Sequence, residues 1–162
     1  KIRASPFPIY MTAVEGLGAV PVAVDWSEVP TALATGVVAG QENPVNVVLT
    51  SKLYESQSHM MLTGHVMNAQ VIVINEKVWQ GLTPAQREAV SKAAVEVRDR
   101  ATTSVRQQEA EELAKLKELK MTVIGPDNGL KLDAFRASVG KLVKERFAPK
   151  YGELYKEIAA VK

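Results

Sequence analysis

The sequence predicts an α/β fold: a mostly parallel sheet with flanking helices. Three observations predict it. Val20-Pro21-Val22-Ala23-Val24 is a β-prone run that leads into a helix start at Trp26. That strand-to-helix unit is the one in which ligands collect at the strand's carboxyl end. Gln70-Val71-Ile72-Val73-Ile74-Asn75 is a continuous apolar run, as expected of a strand buried on both faces of a parallel sheet. Leu82-Thr83-Pro84-Ala85-Gln86 is a strong helix start, with Thr83 as N-cap, Pro84 as first helical residue and Gln86 closing a capping box.

Bulk properties fit this class. The chain has 162 residues, the size of one domain or of one lobe of a larger protein, and its 46% hydrophobic content can bury a core. Lys and Arg number 20 against 18 acidic residues, a net charge of only +2. No dense basic run interleaved with aromatics is present, so nucleic acid has little support as a partner. The absence of cysteine excludes disulfides, thiolate metal sites and a cysteine nucleophile, and fits the periplasm and the cytosol equally. No apolar run reaches the roughly 18 residues a membrane helix needs. The sequence opens on Lys1 without Met, which implies processing or truncation.

In order, residues 1–4 suit a short strand, and Pro6 and Pro8 frame a turn. Residues 9–17 suit a helix, with Ile9, Ala13, Val14 and Leu17 on one face and Gly18 as its stop. After the strand at 20–24, Ser27 suits an N-cap, Glu28 a first-turn acid, Pro30 a first-turn proline and Gly36 a left-handed stop. Pro44 favours a helix after it, and residues 45–55 suit an irregular one. Residues 59–63 suit a strand or extended segment. From Pro84 to about Leu119 nothing interrupts a helix, a length of ~50 Å. Its apolar stripe includes Val90, Val97, Val105, Leu113 and Leu116. A helix this long crosses between lobes or protrudes. Residues 121–124 suit a strand stopped by Gly125-Pro126. Two helices follow, at 133–147 and 152–160, with Phe135, Val139, Leu142 and Val143 facing inward in the first.

Chemistry concentrates in the stretch from Trp26 to Pro44. Gln41, Glu42 and Asn43 are three consecutive hydrogen-bonding side chains between structured elements. They suit either recognition of a small polar ligand or an ordinary capped surface turn. Trp26 is either a hydrophobic plug or a flat wall for a ligand. His59 and His65 are six apart, lack the spacing of a helical metal pair and have no obvious third ligand, so they read as satisfied structural histidines. The chain has no nucleophile elbow, phosphate loop, dinucleotide fingerprint or zinc-protease motif. A hydrolase or lyase built on Glu42 and His65 has no motif behind it.

The ordered run Trp-Ser-Glu-Val-x-x-Ala-Leu-x-Thr-Gly-x-Val-x-Gly-Gln-Glu-Asn-Pro at positions 26–44 is similar to the signature of the solute-binding proteins of TRAP transporters, the DctP-like family. Agreement continues through Lys1-Ile2-Arg3, Leu17-Gly18-Ala19, Lys52-Leu53-Tyr54-Glu55, Thr63-Gly64-His65, Gln70 and the helix after Leu82-Thr83-Pro84. The resemblance spans essentially the whole chain but only the C-terminal half of the family's length. It implies a periplasmic, non-enzymatic protein without cofactor or metal, which captures an organic acid and delivers it to TRAP membrane subunits. It implies a carboxylate pair for Arg3, a guanidinium whose two parallel donors match two carboxylate oxygens. By chemistry alone Arg3 is a surface charge. The resemblance further implies that Trp26 packs over the ligand, Asn43 hydrogen-bonds it, Gln70 lines the cleft, and Glu42 and Gln41 support Asn43 or reach the ligand. In family terms residues 1–68 belong to the second lobe, about 69–108 cross to the first, and about 109–162 return. Most of the first lobe is then absent. The strand at 70–75 is expected to seek a missing N-terminal half or a second copy. The alternative is a structural, oligomerising fragment whose half-site binds nothing.

Overall fold

A computed structural model describes residues 1–67 and 71–161. These form two compact units, one of Lys1–Met67 with Leu116–Lys162 and one of Asn68–Lys115. The first unit opens with strand β1 (Ile2–Ala4), helix α1 (Pro8–Gly16) and strand β2 (Pro21–Ala23). A 3-10 turn (Trp26–Glu28), helix α2 (Val29–Ala34) and strand β3 (Gly40–Gln41) follow. The strands lie in the order β2-β1-β3, all parallel, with Arg3 in register with Val22 on one side and Gln41 on the other. Helix α3 (Val45–Thr50), a 3-10 turn (Leu53–Glu55) and strand β4 (His59–Met61) complete this segment. The α/β class and its parallel strands are as expected.

Helix starts and stops follow local chemistry. Gly18 and Gly36 take positive φ after α1 and α2, as left-handed stops require. Ser27, expected as an N-cap, lies instead inside the 3-10 turn. Pro30 has no N–H to give the Trp26 carbonyl, so the Val29 N–H bonds that carbonyl and the chain tightens to 3-10 before α2 begins. Residues 45–55, expected as one irregular helix, divide into α3 and a 3-10 turn, with Lys52 at a left-handed φ of 53° between them.

The second unit carries helix α4 (Glu76–Gly81) and most of helix α5 (Pro84–Glu118). Thr83 and Gln86 close the expected capping box: Gln86 N–H donates to Thr83 Oγ1 at 3.3 Å and Thr83 N–H to Gln86 Oε1 at 2.8 Å. Arg87 donates to the carbonyls of Trp79 and Gln80, at 3.0 and 2.9 Å, which joins the two helices. The strand expected at 70–75 does not form across 71–75. Apolar content alone does not make a strand; its N–H and C=O groups need a neighbour, and among the described residues none pairs there. Val71, Ile72, Val73 and Ile74 are exposed, and Asn75 instead caps α4 through Lys77 and Val78 N–H. The α5 stripe is also largely exposed, at Val90, Val97 and Val105, whereas Leu116 is fully buried.

Returning to the first unit, strand β5 (Thr122–Ile124) pairs parallel with β4, and helix α6 (Leu132–Ala160) closes the chain. Two helices were expected where α6 runs as one, with Pro149 inside it. Pro149 deletes one helical hydrogen bond; Glu145, four residues before it, is exposed, so water can take the freed carbonyl and the flanking turns persist. Phe135, Val139, Leu142 and Val143 are half-buried, whereas Leu154, Tyr155 and Ile158 are exposed. A β-carbon at Gly16 would stand 2.6 Å from Val139 Cα, so α1 and α6 meet backbone to backbone. Arg146 bridges the same helices, donating to Thr12 Oγ1 at 3.0 Å and pairing with Glu15. The main core gathers Val29, Leu33, Val38, Val48, Leu53 and Leu116. Among the described residues no helix is long and apolar enough to cross a membrane.

Candidate functional site

The first unit presents its polar residues at the carboxyl ends of three adjacent parallel strands, where ligands collect in α/β sheets. Arg3 is on the central strand β1, Trp26 follows β2, and Glu42 and Asn43 follow β3. Arg3 is 7% exposed. Its Nε donates to the Val24 carbonyl at 3.0 Å, and its guanidinium carbon stands 5.7 Å from the centroid of the Trp26 ring. That distance is within cation–π range. No carboxylate among the described residues forms an ion pair with Arg3. A buried guanidinium without an anion is costly. The strand Nε-to-carbonyl bond fixes the rest of the fork in orientation, ready for two acceptor oxygens.

Trp26 is 45% exposed, so it is not a buried plug. It offers one broad aromatic surface beside the Arg3 charge. The third wall is the β3 exit. Register places Gln41 directly beside Arg3, on the same side of the sheet. Asn43 Nδ2 donates to Gln41 Oε1, and Gln41 Nε2 donates to Gln57 Oε1 at 3.3 Å. Gln41 therefore touches Asn43 directly. Glu42 points elsewhere: its Oε2 lies 3.6 Å from His65 Nε2, with both side chains largely buried. Gln70 lies outside the described residues.

One contributor was not legible in the sequence, and a second was only partly so. Gln57, in the loop before β4, is an ordinary loop glutamine by composition, and only the folded register brings it to Gln41. His65, expected as a satisfied structural histidine, is satisfied on one side only. Its Nδ1 shares a hydrogen bond with Thr63 Oγ1 at 2.7 Å, while Nε2 is buried without a hydrogen-bond partner. The residue type flagged His65; the partial satisfaction depends on Glu42 being just out of bonding range.

Comparisons with known proteins bear on the family and the fold of the chain. The family model DctP, described as bacterial extracellular solute-binding protein, family 7, matches residues 1–150. The sialic acid-binding periplasmic protein SiaP of Vibrio cholerae is 38% identical over 128 residues, 79% of this chain and 39% of that protein. A TRAP periplasmic solute-binding protein of Polaromonas, bound to D-erythronate, superposes with a TM-score of 0.88 at 32% identity, over all of this chain and 52% of that one. Another, from Pseudomonas putida with bound D-glucuronate, gives a TM-score of 0.86 at 27% identity, over 99% of this chain and 51% of that one. The chain thus spans about half, or less, of the length of the relatives it matches.

Proposed function

Because the chain belongs to family 7 of the bacterial extracellular solute-binding proteins, we propose that Arg3 captures the carboxylate of an organic acid outside the cytoplasm for delivery to TRAP membrane subunits. The observation that carries this reading is the buried Arg3 guanidinium, oriented by Val24 and stacked near Trp26, with no carboxylate of the described chain paired to it. An incoming carboxylate supplies the missing counter-charge. It also accepts two parallel hydrogen bonds, which fixes the acid's orientation as well as its affinity.

In this reading Trp26 packs over the bound acid and Asn43 hydrogen-bonds it. Gln41 holds Asn43, and Glu42 backs this wall from its far side, turned towards His65. The roles are those of a binding protein; no residue is assigned to bond making or breaking. Residues 1–68 and about 109–162 serve as one lobe of a two-lobed receptor, and residues 69–108 serve the other. The exposed run at 71–74 supports a covering surface there, from further residues of the same protein or from a second copy.

Calorimetric titration of the full-length protein with D-erythronate and D-glucuronate tests the reading. Arg3→Ala removes the charge-assisted pair and is expected to weaken binding by roughly 30-fold or more. An unchanged affinity would contradict the role of Arg3.

A further inference from the structure

Resting on the reading of Asn43 as a ligand contact, we propose that Gln57 is a positioning residue, which sets the orientation of the Asn43 amide through Gln41. Three primary amides stand in series. Gln57 Oε1 accepts from Gln41 Nε2 at 3.3 Å, and Gln41 Oε1 in turn accepts from Asn43 Nδ2. The two ends of an amide are nearly equal in size and opposite in hydrogen-bonding sense. An unheld Gln41 can present either end to Asn43. Once its nitrogen is engaged by Gln57, only its oxygen faces Asn43, and that oxygen takes one Nδ2 hydrogen.

Asn43 is left with its Oδ1 and one N–H for a ligand, a fixed acceptor and a fixed donor rather than an amide free to flip. The three side chains are half-buried, where such bonds weigh more than on the surface. Gln57 comes from a loop 16 residues beyond Gln41 and makes no other hydrogen bond among those described. Its polar end is committed to this chain of amides.

Two variants separate positioning from mere packing. Gln57→Met keeps length and bulk but cannot accept. Gln57→Glu can accept but cannot donate. In the full-length protein, with D-erythronate and D-glucuronate as probes, Gln57→Met should weaken binding about fivefold to tenfold. Gln57→Glu restores the acceptor at the cost of a charge and should bind both acids more tightly than Gln57→Met, a rescue that lost packing would not give. Side-chain amide signals of Gln41 and Asn43 in a ¹⁵N-correlation spectrum should move towards free-amide positions in Gln57→Met only. Should Gln57→Met fail to fold, Gln41→Met cuts the same chain one link nearer Asn43 and should give the same loss. Wild-type affinity in Gln57→Met, or equal losses in both Gln57 variants, overturns the proposal while leaving acid capture by Arg3 intact. If Arg3→Ala binds as wild type does, or wild type binds neither acid, the capture reading fails and this proposal with it.

Discussion

The Arg3 guanidinium lies 5.7 Å from the centre of the Trp26 ring, and both residues stand at the carboxyl end of the same parallel sheet. Arg3 is held by the Val24 carbonyl beneath it and has no carboxylate partner among the described residues. The free protein therefore keeps a buried charge that its ligand would neutralise. That relation makes stability and binding opponents at this position.

Replacing Arg3 with Met keeps the bulk and removes the charge. Thermal unfolding of the ligand-free Arg3→Met protein is expected at the wild-type temperature or above it, since a buried unpaired charge is removed. The ligand-induced stabilisation should vanish; for wild type at one hundred times the dissociation constant it is about 2.7 kcal/mol. A clear fall in ligand-free stability would show that Arg3 is a structural residue.

Trp26 contributes a ring face rather than a hydrogen bond. Trp26→Ala should weaken acid binding by roughly twofold to thirtyfold, the span of cation–π contributions from exposed to desolvated sites. Trp26→Phe should recover part of the loss, because a smaller ring still faces Arg3. Equal losses in the two variants, measured by calorimetry, would mean that the ring face is not what matters.

The surroundings of His65 choose its tautomer. Glu42, an acceptor when ionised, lies 3.6 Å from Nε2, and the Thr63 hydroxyl lies 2.7 Å from Nδ1. The hydroxyl can donate to Nδ1 only if that nitrogen carries no proton. Neutral His65 should therefore hold its proton on Nε2, towards Glu42. Long-range ¹H–¹⁵N correlation of the imidazole reads this directly, and a proton on Nδ1 would contradict it.

Helix packing gives a prediction in which two effects compete. Alanine exceeds glycine in helix propensity by ~1 kcal/mol, which favours Gly16→Ala. The added β-carbon would stand 2.6 Å from Val139 Cα, a backbone atom that cannot swing aside. Overpacking of this kind costs about 1–3 kcal/mol, so the net effect should be destabilising. Urea unfolding of Gly16→Ala would reverse this account if the variant proved more stable.

Punctuation was the most legible part of the fold. Thr83, Pro84 and Gln86 specify the start of α5 by local bonds alone, and Gly18 and Gly36 mark stops that need positive φ. What failed depended on neighbours far along the chain. The apolar run at 71–74 has the composition of a buried strand, yet burial and pairing require a second strand that the described residues do not provide. Pro149 reads as a breaker, but an exposed helix can lose one hydrogen bond and continue. For the candidate site, the ordered motif at 26–44 carried a family resemblance and Arg3 entered through that resemblance alone; read by itself it was a surface charge, and only the fold buries it on β1 between β2 and β3. Gln57 was hidden because nothing in a loop glutamine announces which amide it will meet.

The claim that Arg3 receives the ligand's carboxylate is tested most directly by a crystal structure of the full-length protein with D-erythronate. The account predicts both carboxylate oxygens at about 3 Å from the Arg3 guanidinium nitrogens, with the Trp26 ring against the bound acid. An acid bound with its carboxylate away from Arg3, on another cation, would contradict it.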